Sequence, residues 1–151
     1  MKLICLIALF TISKISFAQT KVLDSLQQRL TIEKIDSNRQ KIYLNLANAT
    51  RGTEFKKCVE YALQANEINR KTNKPILLAR GYDVLGVVYR NMRKLDSAII
   101  FAELSKKVRE ENKNYKELPN SYTNLGNIYM EKSDYATALK RSEERRVGKE
   151  C

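Results

Sequence analysis

Apolar residues recur at spacings of three and four along most of the chain, which is the spacing of one face of an α-helix. Tyr82, Leu85 and Tyr89 show the pattern clearly. With 5 Gly and 2 Pro in 151 residues, long helices are favoured over many short strands. The sequence therefore predicts an all-α protein with seven helices, at about residues 22–35, 38–51, 54–73, 75–92, 95–113, 116–132 and from 134 onward.

The predicted helix boundaries rest on residues that favour helix starts. Thr53 and Ser133 are predicted N-caps, because their hydroxyl groups can accept a hydrogen bond from the first turn of the following helix. Ser37, which follows Asp36, is predicted to open another helix. Pro75 suits a first helical turn, where its missing N–H group is not needed.

One motif occurs twice in the chain. Residues 82–89 and 122–129 carry Tyr, Leu, Gly and Tyr at identical positions, with a period of 40 residues. A glycine inside a helix costs about 1 kcal/mol relative to alanine, so its recurrence indicates a place where a partner helix crosses closely. The residues predicted to pack these helix pairs are Tyr82, Leu85, Gly86, Tyr89, Ala98, Tyr122, Leu125, Gly126, Tyr129 and Ala138.

An earlier, diverged copy precedes these two. Tyr43, Leu46 and Ala47 match the first helix, with alanine in place of glycine, and the following turn is one residue shorter. The second helix of this copy carries Phe55, Cys58, Val59, Tyr61, Ala62 and Ala65 at matching positions.

This arrangement resembles the tetratricopeptide repeat, in which an aromatic-x-x-Leu-Gly-x-x-Tyr helix precedes a second helix with a small residue at the crossing. The resemblance implies a right-handed α-solenoid of antiparallel helix hairpins. It implies a capping helix at 19–36 and repeats at about 37–74, 75–114 and 115–140. The long period is similar to that of the exported N-terminal regions of bacterial sensor histidine kinases and helix-turn-helix regulators.

The resemblance implies that the first helix of each hairpin lines a concave inner wall that binds a protein or peptide. An alternative is a solvated helix face that binds nothing. Projecting away from the packed stripe, the residues predicted to face a partner are Asp83, Val87, Arg90, Asn91, Thr123, Asn127, Met130 and Glu131.

The two ends of the chain differ from the rest. Residues 1–18 carry Lys2, an apolar run and a small-x-small pattern at 16–18, which predicts a cleaved secretory leader and export to the periplasm or medium of a bacterium. Residues 141–151 resemble the translation of a sequencing adapter, and their charged residues fall where the helical stripe needs apolar ones. We therefore expect a non-native tail on a truncated chain.

The composition argues against catalysis. With 0 His, the usual general base and the commonest metal ligand are absent, and Cys58 reads as a small core residue rather than a reactive thiol. We expect no catalytic residues, metal, cofactor or small-molecule substrate. The formal net charge is +11, yet Lys and Arg alternate with acidic residues, as in 106–111, which favours a solvated face over a nucleic-acid site.

The sequence leaves two main hypotheses open. The first is the exported sensing or interaction region of a larger signalling protein, with any membrane span and output domain lying beyond the truncation. The second is a stand-alone periplasmic or secreted adaptor. A helical repeat that binds nucleic acid is a remote alternative, and an enzyme with a missing catalytic part is another.

Overall fold

The computed structural model describes residues 20–150, with side chains through residue 146. The predicted leader at residues 1–18 lies outside this range, as does Cys151. The described residues contain helices and no strand; the first helix, α1, covers residues 20–32. The others are α2 (Asp36–Thr50), α3 (Phe55–Thr72), α4 (Pro75–Asn91), α5 (Leu95–Glu111), α6 (Leu118–Glu131) and α7 (Tyr135–Glu150).

The helices form antiparallel hairpins that stack side by side. α2 pairs with α3, α4 with α5, and α6 with α7, while α3 contacts α4 and α5 contacts α6. The first helices of the three hairpins also contact one another, α2 with α4 and α4 with α6. The all-α class and the right-handed solenoid of hairpins are thus confirmed. Within the described residues no helix is long and apolar enough to cross a membrane.

The apolar core is divided into clusters that join one hairpin to the next. One cluster packs Ala47, Cys58 and Ala62 against Leu85 and Val88. The next cluster repeats the arrangement one period later, with Ala98 and Ala102 against Leu125 and Ile128. Small residues in the second helices therefore admit the larger side chains of the following first helix, so each hairpin buries the face of its neighbour.

The repeated glycines face the partner helix of their hairpin, but each leaves room for a methyl group. A Cβ at Gly86 would lie 3.5 Å from the Ala98 carbonyl oxygen and 3.8 Å from the Ala102 Cβ, which is ordinary van der Waals contact. At Gly126 the nearest atom would be the Ala138 oxygen at 3.7 Å. Close packing here is created chiefly by the alanines of the partner helix, and Ala47 occupies the equivalent position in the first hairpin, fully buried.

None of the three residues predicted to cap or open a helix is an N-cap, whereas Pro75 is placed as predicted. Ser133 has a left-handed φ of 63° and ends the preceding helix, so the cap passes to Asp134, whose carboxylate accepts a hydrogen bond from the Thr137 amide at 3.1 Å. The N-cap positions of α3 and α2 are Glu54 and Ile35, so neither Thr53 nor Ser37 caps a helix. Neither Glu54 nor Ile35 makes a side-chain capping hydrogen bond. Pro75 lies in the first turn of α4.

Candidate functional site

The inner surface of the solenoid contains a groove of about 410 Å³ between α2, α4 and α6. Its buried apolar residues form the floor, and exposed polar residues stand at its rims. The floor consists of Leu44, Leu77, Val84 and the half-buried Val87. The polar lining consists of Lys41, Asn45, Asn48, Arg51, Arg80, Asp83, Asn120, Thr123 and Asn124.

The repeat explains why these side chains meet. Lys41, Asn45 and Asn48 lie at spacings of four and three on α2, which places them on one helix face. Allowing for the shorter first turn, the equivalent positions on α4 are Arg80, Val84 and Val87, and α6 repeats Asn120 and Asn124. One helix face, presented three times, therefore builds the groove.

The structure divides the residues predicted to face a partner into three groups. Asp83, Val87 and Thr123 line the groove. Arg90, Asn91 and Glu131 line a separate hollow of about 320 Å³ at the ends of α4 and α6, where Arg90 Nε lies 3.3 Å from Glu131 Oε1.

The third group, Asn127 and Met130, is exposed and lines neither surface. Contact between any of the eight residues and a partner stays a prediction. The repeat pattern did not single out the four asparagines or Lys41, Arg51 and Arg80, although most of them lie at equivalent positions of the repeats.

A buried ion pair lies under the groove. Arg109, on α5, is 1% exposed, and its two terminal nitrogens bind the Asp83 carboxylate at 3.1 and 2.5 Å. The same guanidinium donates to Ser105 and, at 2.7 Å, to Ser121. The interpretation of residues 106–111 as a solvated face is therefore wrong for Arg109, which continues the buried stripe of Ala98, Ala102 and Ser105.

A second carboxylate extends this network to the groove. Glu117 lies just before α6; one oxygen accepts a hydrogen bond from Arg80 Nη2 at 2.6 Å, and the other lies 3.5 Å from Arg109 Nη2. Burial tends to raise the pKa of Glu117, but the bonds and charges of the two arginines outweigh it and lower that pKa below its usual value. Glu117 is thus ionised at neutral pH, and the four side chains Arg80, Asp83, Arg109 and Glu117 together carry no net charge.

The groove is electrically uneven as a result. Arg80 is neutralised by Glu117, and Asp83 is neutralised by Arg109. Lys41 and Arg51, by contrast, form no ion pair within residues 20–146. The α2 side of the groove is therefore cationic, and the opposite side is neutral.

Two observations within the described residues concern catalysis and metal binding. Cys58 is fully buried, and burial raises the pKa of its thiol to about 11, so the prediction of an inert core cysteine is confirmed. No group of three or more His, Cys, Asp or Glu side chains within the described range could hold a metal ion. The absence of an activity and of a cofactor stays a prediction.

The tail at residues 141–151 continues α7 as far as Glu150. Arg141 pairs with Glu103 at 3.3 Å and with Glu144 at 2.9 Å. Whether these residues belong to the native protein is a question for the coding DNA, and the non-native origin stays a prediction.

The hairpins, the periodic core and the inner groove together define an all-α helical-repeat protein with tetratricopeptide-like repeats. The crystal structures that share this fold include two helical-repeat proteins. BtubC (BKLC) from P. vanneervenii matches with a TM-score of 0.65 and 21% identity, over 74% of this chain and 46% of that one. Aspartyl phosphate phosphatase F from Bacillus subtilis matches with a TM-score of 0.78 and 16% identity, over 89% of this chain and 39% of that one.

This chain therefore spans less than half the length of either structure. No family model and no curated protein matches it. At these identities the likeness supports the fold alone.

Proposed function

We propose that the protein is a non-catalytic scaffold that binds an extended segment of another polypeptide in the groove between α2, α4 and α6. The observation that carries this proposal is an apolar floor bordered by asparagine side chains on both sides. Asn45 and Asn48 stand on α2, and Asn120 and Asn124 stand on α6.

The chemistry of this groove suits a peptide backbone. An extended peptide presents unpaired N–H and C=O groups, and an asparagine amide can donate to one and accept from the other. Asn48 already donates one N–H to the Leu44 carbonyl at 3.0 Å and Asn124 donates one to Asp83 at 3.3 Å, so each keeps a second N–H and its oxygen for a peptide. Successive side chains on the same side of an extended chain lie about 7 Å apart, so alternate apolar residues can reach a floor formed by Leu44, Leu77 and Val87. Backbone bonding gives affinity, and the floor selects apolar side chains.

The proposal includes a cellular setting. The leader-like residues 1–18 support export to the periplasm or medium, and the long repeats support the sensing region of a larger signalling protein. A stand-alone exported adaptor is the alternative. N-terminal sequencing of the protein from a cell fraction tests export: a start at Gln19 supports it, and a cytoplasmic chain that begins at Met1 contradicts it. The downstream coding DNA separates the two settings. A membrane span after further repeats supports the signalling protein, and a stop codon after one or two more repeats supports the stand-alone adaptor.

Selection of random peptides displayed on phage tests the binding function. The whole chain should enrich peptides with alternating apolar residues. Val87→Glu, which places a charge on the floor, should abolish their binding. Ile100→Glu is a matched control, because Ile100 is 59% exposed on α5, outside the groove lining. Circular dichroism should show that both variants are folded. Failure to enrich any peptide, or equal loss of binding in both variants, would contradict the proposal.

A further inference from the structure

The cationic residues of the groove are not equally available to a ligand. Lys41 and Arg51 are exposed on the α2 side and form no ion pair among residues 20–146. Arg80 also lines the groove, and its side chain is 53% exposed, but its Nη2 is bound to Glu117 Oε1 at 2.6 Å. An anionic ligand group at Arg80 would therefore meet a guanidinium whose charge is already balanced by this carboxylate.

The position of Glu117 is fixed by its surroundings rather than by Arg80 alone. It immediately precedes α6, whose first residues Leu118 and Pro119 are buried, and its amide donates to the Asn114 carbonyl at 3.3 Å. The N-terminus of α6 also favours a negative charge there. The carboxylate therefore stays beside Arg80 when no ligand is present.

We propose that Glu117 determines the charge selectivity of the groove by acting as a built-in competitor for Arg80. This inference rests on the proposed peptide-binding function. The wild-type groove selects acidic ligand residues on the α2 side, at Lys41 and Arg51, and neutral residues on the side of Arg80. Removing the charge of Glu117 converts the Arg80 end of the groove into a second subsite for acidic ligand residues.

The substitution Glu117→Gln leaves the buried network largely intact. Arg109 keeps its two bonds to Asp83, at 3.1 and 2.5 Å, whereas its contact with Glu117 is longer, at 3.5 Å. Arg109 therefore remains charge-compensated in this variant, and the groove keeps its shape. The matched control is Glu111→Gln, because Glu111 is an exposed carboxylate outside the groove lining that pairs with Lys107 on α5.

The first experiment is a parallel peptide selection on wild type, Glu117→Gln and Glu111→Gln. Peptides from Glu117→Gln should contain an additional Asp or Glu, while those from Glu111→Gln should match wild type. If no variant enriches peptides, the proposed function itself fails and this inference fails with it. If peptides are enriched with unchanged charge in Glu117→Gln, this inference alone is overturned.

The second experiment assigns the effect to Arg80. An Asp scan of a wild-type-selected peptide, followed by fluorescence anisotropy, should reveal one position where Glu117→Gln binds roughly three- to fivefold more tightly than wild type. The gain should vanish in the double variant Arg80→Gln/Glu117→Gln and at high salt. A gain that persists without Arg80 would overturn the proposal.

Discussion

Two glycines of α4 show how differently the same residue type can be used. A methyl group at Gly86 would meet the Ala98 oxygen at 3.5 Å, in ordinary contact. A methyl group at Gly81 would lie 1.9 Å from the Asn66 Oδ1 atom, far inside any allowed contact. The glycine that the repeat emphasises therefore tolerates alanine, and the glycine that the repeat does not mark is the restrictive one.

Substitutions at Gly86 test this distinction directly. Gly86→Ala should be neutral or should raise the free energy of unfolding by up to about 1 kcal/mol, since alanine is the better helix former and its methyl group fits. Gly86→Leu should lower it by about 1–3 kcal/mol through overpacking against Ala98 and Ala102. Urea unfolding of both variants measures the difference. Equal stability of the leucine variant and wild type would show that the helices do not cross closely here.

At Gly81 the expected outcome is the reverse. Gly81→Ala should lower the free energy of unfolding by about 1 kcal/mol, because moving the Asn66 side chain aside costs more than the gain in helix propensity. Both polar atoms of the Asn66 side chain are buried without a hydrogen-bond partner, so Asn66→Ala should cost little. The double variant Gly81→Ala/Asn66→Ala should recover most of the stability in thermal unfolding. No recovery would mean that the clash is with the backbone.

Sequence reasoning could identify Gly86 but not Gly81. Gly86 has a partner at Gly126, one period later, and the pair stands out by comparison. The position equivalent to Gly81 is Ser121, a buried residue that accepts a hydrogen bond from Arg109. Because this position has a different task in each repeat, no periodic signal marks it.

At the level of the helices, equivalent hairpins differ in the polar bonds that link their two helices. In the first hairpin, the buried Gln40 of α2 donates to the Asn69 side chain of α3 at 3.2 Å and accepts from Thr72 at 2.9 Å. In the second hairpin, the residue equivalent to Asn69 is Arg109, which binds Asp83. The period predicts that these helices pair, but it carries no information about whether the polar link is neutral or charged.

The charged link should be costly to break from one side. Arg109→Met should lower the free energy of unfolding by about 3–5 kcal/mol, because Asp83 loses its buried counter-charge. In the Arg109→Met background, Asp83→Asn should lower the free energy of unfolding by less than it does in the wild-type protein, because it removes the charge that Arg109→Met leaves unpaired. A double-mutant cycle in urea measures the coupling. Strictly additive effects would show that the two side chains do not interact.

The loop before α6 should make stability depend on pH. The pKa of Glu117 is lowered in the folded state, so its contribution is fully present above its unfolded pKa, about 4.3. The contribution is lost as the pH falls through the lower, folded value. Melting temperatures of wild type and Glu117→Gln should therefore differ at pH 6 and converge towards pH 3. A constant difference across this range would contradict the assignment.

At the scale of the whole molecule, the repeat predicts the solenoid well and the site only in part. Period and stripe identify which helices line the inner wall, and Asp83, Val87 and Thr123 do lie in the groove. The groove, however, takes its lining only from residues 77–87 of α4 and 120–124 of α6. Met130 and Asn127 lie beyond that stretch, which no linear pattern reveals.

The same scale shows how far burial depends on neighbours. Leu95 and Ile99 of α5 pack against the core that α6 completes. Their equivalents on α7, Tyr135 and Leu139, are each 63% exposed. Both pairs show the same apolar pattern in the sequence. The pattern cannot predict the difference in exposure, because the burial of each pair depends on the helix that follows it.

If a polypeptide binds the inner wall, the asparagine side-chain signals in an NMR spectrum will report the contact. Addition of a display-selected peptide to the ¹⁵N-labelled chain should shift the side-chain amide signals of Asn45, Asn48, Asn120 and Asn124. The side-chain amide of Asn112 donates to the Val108 carbonyl at a distance of 2.8 Å and lies outside the groove lining. The signal of this amide should not move. Shifts confined to residues outside the groove, with these four signals unchanged, would contradict the account.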